Sequence, residues 1–112
     1  MSHLPLSTYL RSYRRKGGLS QDEVAFLLGT VSGTTVSRHE NGTRQPILET
    51  VLAYEFIFGV PARELYRGVY RRAGARIAVR VRALLETISH QRPSPQRELK
   101  ILFLKQMDEG LR

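Results

Sequence analysis

The strongest constraint on this chain is where its helices must stop. Gly17-Gly18, Gly29, Asn41-Gly42 and Gly59 interrupt the first sixty residues at short intervals, and each supplies a residue that ends a helix by tolerating positive φ. Apolar residues between these stops recur at three- and four-residue steps, which predicts a string of short helices. The first is read from Ser7 to Lys16, with Leu6, Tyr9, Leu10 and Tyr13 on one face. Ser20 opens the second, and Glu23 sits at capping-box spacing; Val24, Ala25, Leu27 and Leu28 follow. Ser32 is the cap of a third helix that carries Val36 inward and ends near Asn41-Gly42. After Pro46 a fourth runs from about Leu48 to Phe58, with Leu48, Val51, Leu52 and the aromatics as its core set. Pro61 takes the first position of a fifth, which carries Leu65 and Tyr66.

Beyond residue 68 the pattern changes. From Val69 to about Ser89, Arg alternates with Ala, Val, Ile and Leu, and Ile77, Val81, Leu84, Leu85 and Ile88 form one stripe of a long amphipathic helix. Arg92-Pro93-Ser94-Pro95 breaks it, and a last helix follows with Leu99, Leu102, Phe103 and Met107 inward. The expected architecture is all-α: a five-helix domain over residues 6–67, then a helical hairpin over residues 68–112.

Composition removes most alternatives. The chain has no cysteine, so disulfides, thiol nucleophiles and cysteine-rich zinc sites are excluded. Its three histidines, His3, His39 and His90, have no metal-ligand spacing, and no metal or other cofactor is expected. There is no glycine-rich phosphate loop and no nucleophile in a recognisable turn, so an enzyme is not expected. No apolar run is long enough to span a membrane, and the N-terminus lacks a signal peptide's apolar stretch. A soluble, cytoplasmic protein is expected, with no membrane association. The net charge of +8 suits a polyanion partner: DNA, RNA or an anionic surface.

Gln21 to Leu28, a tight glycine-containing turn from Gly29 to Val31, and Ser32 to Asn41 together form a helix-turn-helix, which presents its second helix to the DNA major groove. Ala25 falls where the two helices touch, and Val36 plugs the angle between them. Leu10-Arg11-Ser12-Tyr13-Arg14, Gly18-Leu19-Ser20-Gln21, Val36-Ser37-Arg38-His39-Glu40-Asn41-Gly42, Pro46 and Leu48-Glu49-Thr50 follow one another as separate blocks. This ordered series resembles the Cro and phage-repressor type, or Xre-like, helix-turn-helix regulators. The tract from Ala53 to Tyr66 resembles the fourth and fifth helices of that family.

The resemblance implies a lambda-repressor-like domain of bacterial or phage origin, bound to double-stranded DNA on the nucleoid. By position it implies that Gln21 and Ser32 hold phosphates, that Gly33, Thr34, Ser37 and Arg38 read base edges, and that Asn41, Thr43 and Arg44 grip the backbone beyond. It also implies an ion pair between Arg14 and Glu40. Side-chain chemistry agrees at two points: Arg38 can bond both O6 and N7 of a guanine, and Thr34 and Thr35 offer a hydroxyl and a methyl suited to thymine. His39 is expected to be a packed imidazole. Three departures stand out. Thr30 lengthens the turn by one residue, Gly33 lacks a side chain, and Glu55 takes a usually apolar place, which predicts either an Arg partner or altered packing.

Charge is unevenly spread. Residues 1–61 carry six basic and five acidic groups, whereas residues 62–82 carry seven Arg and one Glu. Arg63, Arg67 and Arg71 form one line at four-residue spacing; Arg72, Arg76 and Arg80 form another. DNA phosphates, an acidic partner or plain solvation can each offset the repulsion, and the second line is the candidate for auxiliary phosphate contacts. Ile77, Val81, Leu84, Leu85, Ile88, Leu99, Leu102 and Phe103 are the candidate dimer or protein-partner surface. The expected function is a dimeric, operator-occupying transcriptional repressor. The rivals are an autoregulating antitoxin, whose C-terminal helices hold a toxin, and an RNA-binding or adaptor module using the Arg-rich helix.

Overall fold

The computed structural model describes residues 8–30 and 32–111. Leu6 and Ser7, read into the first helix, the turn residue Val31, and His3 lie outside them. Every element among the described residues is an α-helix: α1 (Leu10–Lys16), α2 (Gln21–Leu28), α3 (Gly33–Glu40), α4 (Leu48–Phe58), α5 (Ala62–Leu65), α6 (Arg67–Ser89) and α7 (Pro95–Gly110). The chain divides into two compact units between Tyr70 and Arg71, inside α6.

The first unit surrounds a core of Leu10, Val24, Ala25, Val36, Tyr54, Leu65 and Tyr66, with Tyr13, Leu28, Val51, Ile57 and Phe58 packed against it. Helix α1 begins later than its pattern suggests because the preceding residues are held by tertiary bonds. The Tyr9 N–H donates to the Leu65 carbonyl at 2.8 Å. The Thr8 hydroxyl accepts from the Leu10 N–H and donates to the Glu40 carbonyl. Tyr54 stacks on Phe58 with ring centroids 5.9 Å apart.

Helix α4 has its expected limits but buries a different face. Leu48 and Leu52 are exposed, as is the aromatic Phe56 at 90%, while Val51, Tyr54, Ile57 and Phe58 point inward. The helix is apolar almost all round, so periodicity alone cannot choose its buried side. Pro61 lies at the cap of α5 rather than inside it. Among the described residues Glu55 has no Arg partner: its carboxylate accepts the Ala62 N–H and so caps α5.

In the second unit, α6 runs unbroken through Gly74, and its seam with α7 contains Val81, Ile88 and Leu104, with Leu85, Ile101 and Met107 alongside. Ser94 caps α7 by accepting the Arg97 N–H. Arg97 in turn donates to the Ile88 and Ser89 carbonyls, covering the free acceptors at the end of α6. Two expectations are corrected. Val81 is buried in this seam and does not belong to an outer surface, Ile88 is buried there and reaches the outside only as the floor of a groove, and Leu99, Leu102 and Phe103 point outward at 57–67% exposure rather than inward.

The two buried tyrosines of the first unit differ in satisfaction. The Tyr54 hydroxyl lies 2.8 Å from His39 Nδ1. The Tyr66 hydroxyl has no hydrogen-bond partner among the described residues, and burial pushes its pKa up to about 12. Tyr66→Phe is therefore expected to leave stability unchanged or to raise it, since it removes an unpaired buried hydroxyl. Tyr54→Phe should cost about 1–3 kcal/mol. Urea unfolding of both variants measures the difference.

Candidate nucleic-acid interface

The interface is assembled from how α2 and α3 are made. At the start of α2 the Ser20 hydroxyl accepts the Glu23 N–H at 3.0 Å, and the Ser20 N–H donates back to the Glu23 carboxylate at 2.8 Å. At its end Gly29 is left-handed, with φ 76°. Gly29 donates to the Phe26 carbonyl and Thr30 to the Ala25 carbonyl, the paired closure of a Schellman motif. The extra turn residue Thr30 is thus part of the helix terminus. Leu19 and Thr43 close α1 and α3 by the same long bond, to the Arg14 and Arg38 carbonyls.

Ser32 is extended at the N-cap of α3, but its side chain makes no capping bond. The cap comes from the neighbouring helix: Asp22 Oδ1 accepts the Gly33 N–H at 2.9 Å. A Cβ on Gly33 would lie 2.5 Å from that oxygen and 3.0 Å from the Asp22 nitrogen. Gly33 is therefore a close-packing position, buried and with its N–H committed, which corrects the expectation that it reads a base edge. Ala25 and Val36 are buried in the shared core, as their places in the motif require.

The far end of α3 is fixed by one carboxylate. Glu40, with its side chain 1% exposed, accepts from Arg14 Nε at 2.5 Å, Arg14 Nη2 at 3.2 Å, Gln21 Nε2 at 3.1 Å and Arg11 Nε at 3.3 Å. Arg14 also donates to the Leu19 carbonyl at 2.9 Å. Burial pushes the Glu40 carboxyl up, but hydrogen bonds from Arg14 and Gln21, the Arg14 charge and the Arg11 bond outweigh it and hold the group below the usual carboxylate range. The bond to Glu40 holds the Arg14 guanidinium above its ordinary value. α1, α2 and α3 thereby meet at a single charge. Next to it His39 packs edge-on against Tyr54, and burial, followed by the Arg44 charge, holds its imidazole below the usual range.

Thr34, Arg38, Asn41, Thr43 and Arg44 are exposed, and Gln21, Ser32, Thr35 and Ser37 are half-buried. Among the described residues the Arg38 guanidinium makes no hydrogen bond or ion pair, unlike Arg11 and Arg14. Asn41 Oδ1 accepts both the N–H and the hydroxyl of Thr43, at 3.0 and 2.7 Å. The Thr43 hydroxyl proton is thus spent on the loop, and the Asn41 amide and Arg44 are left as donors facing outward. One N–H of Gln21 is committed to Glu40, leaving its second free. In α6, Arg72, Arg76 and Arg80 are exposed without an ion pair among the described residues. Arg67 differs: it bonds Glu64 at 2.6 Å and lies 5.0 Å from the Tyr9 ring centroid.

Sequence reasoning missed Asp22, Arg11 and Tyr54. Asp22 reads as an ordinary acidic residue in the first turn of a helix, and nothing local marks it as the cap of the next one. The geometry sets an acid response. Glu40 has a lowered folded-state pKa, so its contribution is complete above the unfolded value of 4.5 and is lost as pH falls toward the folded value. The lowered His39 pKa favours the neutral ring in the fold, so its contribution falls as pH drops below the unfolded value of 6.5. Urea unfolding across pH should therefore show two successive losses, the upper one absent in His39→Asn. At neutral pH, Glu40→Gln should cost about 1–3 kcal/mol, because it takes the charged acceptor from the half-buried Arg14, which keeps only its bond to the Leu19 carbonyl.

Among the described residues no helix is long and apolar enough to cross a membrane. A family model described as helix-turn-helix matches residues 10–65, half of the chain, from the first residue of α1 to the last of α5. Neither the curated proteins nor the solved structures contain a match to the chain. The matched family is a DNA-binding regulatory domain rather than an enzyme family. With that match over α1 to α5, and with α3 braced on α2 as the motif requires, the chain belongs to the Cro and phage-repressor type, Xre-like helix-turn-helix family of DNA-binding regulators.

Proposed function

We propose that the chain is a sequence-specific transcriptional repressor that occupies an operator as a homodimer, in the cytoplasm of a bacterium or a phage-infected cell. In this reading residues 6–67 bind DNA and residues 68–112 form an extension for self-association or a partner. One observation carries it: α3 is braced at both ends, by Asp22 and by Glu40, while Arg38 on the same helix stays exposed and, among the described residues, unpaired. A rigid helix with one free guanidinium is suited to bidentate reading of a guanine in the major groove. Thr34, Thr35 and Ser37 add short hydroxyl contacts beside it. Gln21, Ser32, Asn41 and Arg44 supply phosphate donors around it, and Thr43 shapes the loop that aims Asn41.

A single helix of this length reads only a few base pairs, so two half-sites one helical turn apart provide the specificity. Arg72, Arg76 and Arg80, exposed and without an ion pair among the described residues, are assigned to flanking phosphates. A protein partner in place of a second copy, as in an autoregulating antitoxin, is favoured by one observation, the outward Leu99, Leu102 and Phe103 of α7.

Selection of bound sequences from random duplex DNA should yield a short inverted repeat. Arg38→Ala should lower selectivity at one base pair per half-site by about 1–3 kcal/mol; uniform weakening would instead assign Arg38 to phosphate. Loss of preference for DNA over RNA, with no effect of Arg38→Ala, would favour the RNA-binding reading. Replacing Arg72, Arg76 and Arg80 with Ala should flatten the log-log salt dependence by roughly 0.9 for each phosphate no longer neutralised. An unchanged slope would show that these arginines do not touch DNA.

A further inference from the structure

The two flanks of the α6–α7 hairpin each carry a groove with an apolar floor, but they differ in ionisable side chains. One groove is lined by Leu85, Ser89 and Ile101 together with Arg82, Glu86, Arg97 and Lys105, which rim it with charge. The other carries a groove of about 320 Å³ lined by Leu84, Ile88, Gln91, Lys100, Phe103 and Leu104, with one ionisable side chain among the six. Leu84 is 46% exposed there and Phe103 64%. Ile77, Leu99 and Leu102 extend the exposed apolar surface of the unit.

We propose that this apolar flank is the seam of the homodimer, in which Phe103 of each copy fills the Leu84–Ile88–Leu104 groove of the other and the two hairpins form a four-helix bundle. The proposal rests on the dimeric reading above and assigns its surface. Three observations select a second copy as occupant. The unit's buried apolar side chains are Val81, Ile88 and Leu104, with Leu85, Ile101 and Met107 partly covered. A two-helix unit of that size needs further burial to hold its form, and a second hairpin supplies a bundle core. The flank also has a protruding aromatic side chain beside an apolar groove, the complementary pair that a two-fold interface requires on each subunit. A nucleic acid needs a row of cationic and polar donors for its phosphates, and this groove offers only Lys100 and the Gln91 amide. Lys100 sits on a long stem that can cover apolar surface while its ammonium stays in water.

The test is sedimentation equilibrium of the full chain without DNA. The wild type should be a dimer. Phe103→Asp and Leu84→Asp should each weaken self-association at least about 30-fold while keeping the helical far-ultraviolet spectrum. Val79→Asp, two residues from Val81 and so nearly opposite it on α6, should change nothing, since Val79 is 66% exposed away from the seam. The chain has no cysteine, so a mixture of Leu84→Cys and Phe103→Cys proteins gives a second reading should an Asp variant unfold. Oxidation should join one variant to the other. A monomeric wild type, a dimer indifferent to both Asp changes, or no mixed disulfide would each overturn the assignment. Base selectivity through Arg38 is measured separately, so a selective monomer overturns the seam alone, whereas an intact dimer without selectivity overturns the DNA reading alone.

Discussion

The Glu40 carboxylate organises the first unit. It is nearly inaccessible to water, and two arginines and a glutamine from α1 and α2 converge on it. An isolated buried carboxylate would cost several kcal/mol and would take up a proton instead. With these donors it stays ionised, and the same bonds that satisfy it fix the C-terminal end of α3 against both other helices. A short helix such as α3 has little stability of its own, being only eight residues long. Its orientation is therefore a tertiary property, set by Glu40 at one end and Asp22 at the other.

This bracing has a chemical consequence for recognition. Groups that hold α3 are spent: Arg14, Arg11, part of Gln21 and the Gly33 N–H are committed within the protein. Arg38 and Arg44 have no such side-chain bond among the described residues and are the groups that the proposed reading assigns to DNA. In that reading the fold separates positioning side chains from reading side chains on a helix of two turns. Most of the net positive charge lies elsewhere, in residues 62–82 with their seven Arg and one Glu, and in the proposed reading it adds attraction without base information.

The short helices were legible because glycine stops and capping residues act locally: Ser20 with Glu23 and Gly29 behave in the structure as their spacing predicts. The Arg14–Glu40 pair was legible only through family resemblance, since nothing in the spacing of two residues twenty-six apart announces that they meet. Side-chain direction was harder. α4 is apolar on most sides, and α7 has apolar residues at Leu99, Leu102 and Phe103 as well as at Ile101 and Leu104, so either stripe satisfies a helical period. Only the partner helix decides, and in α7 it selects Leu104. Gly33 and Asp22 were not legible because their link is a helix-to-helix cap, formed across the turn and visible only once the two helices are packed.

The central claim is that a braced α3 lets Arg38 bond a guanine directly. It is tested most sharply by replacing each guanine of the selected site with 7-deazaguanine, which removes the N7 acceptor and little else. The account predicts one position per half-site where the replacement weakens wild-type binding by about 1–3 kcal/mol and leaves Arg38→Ala binding unchanged. Losses that simply add, at every guanine in the site, would contradict it.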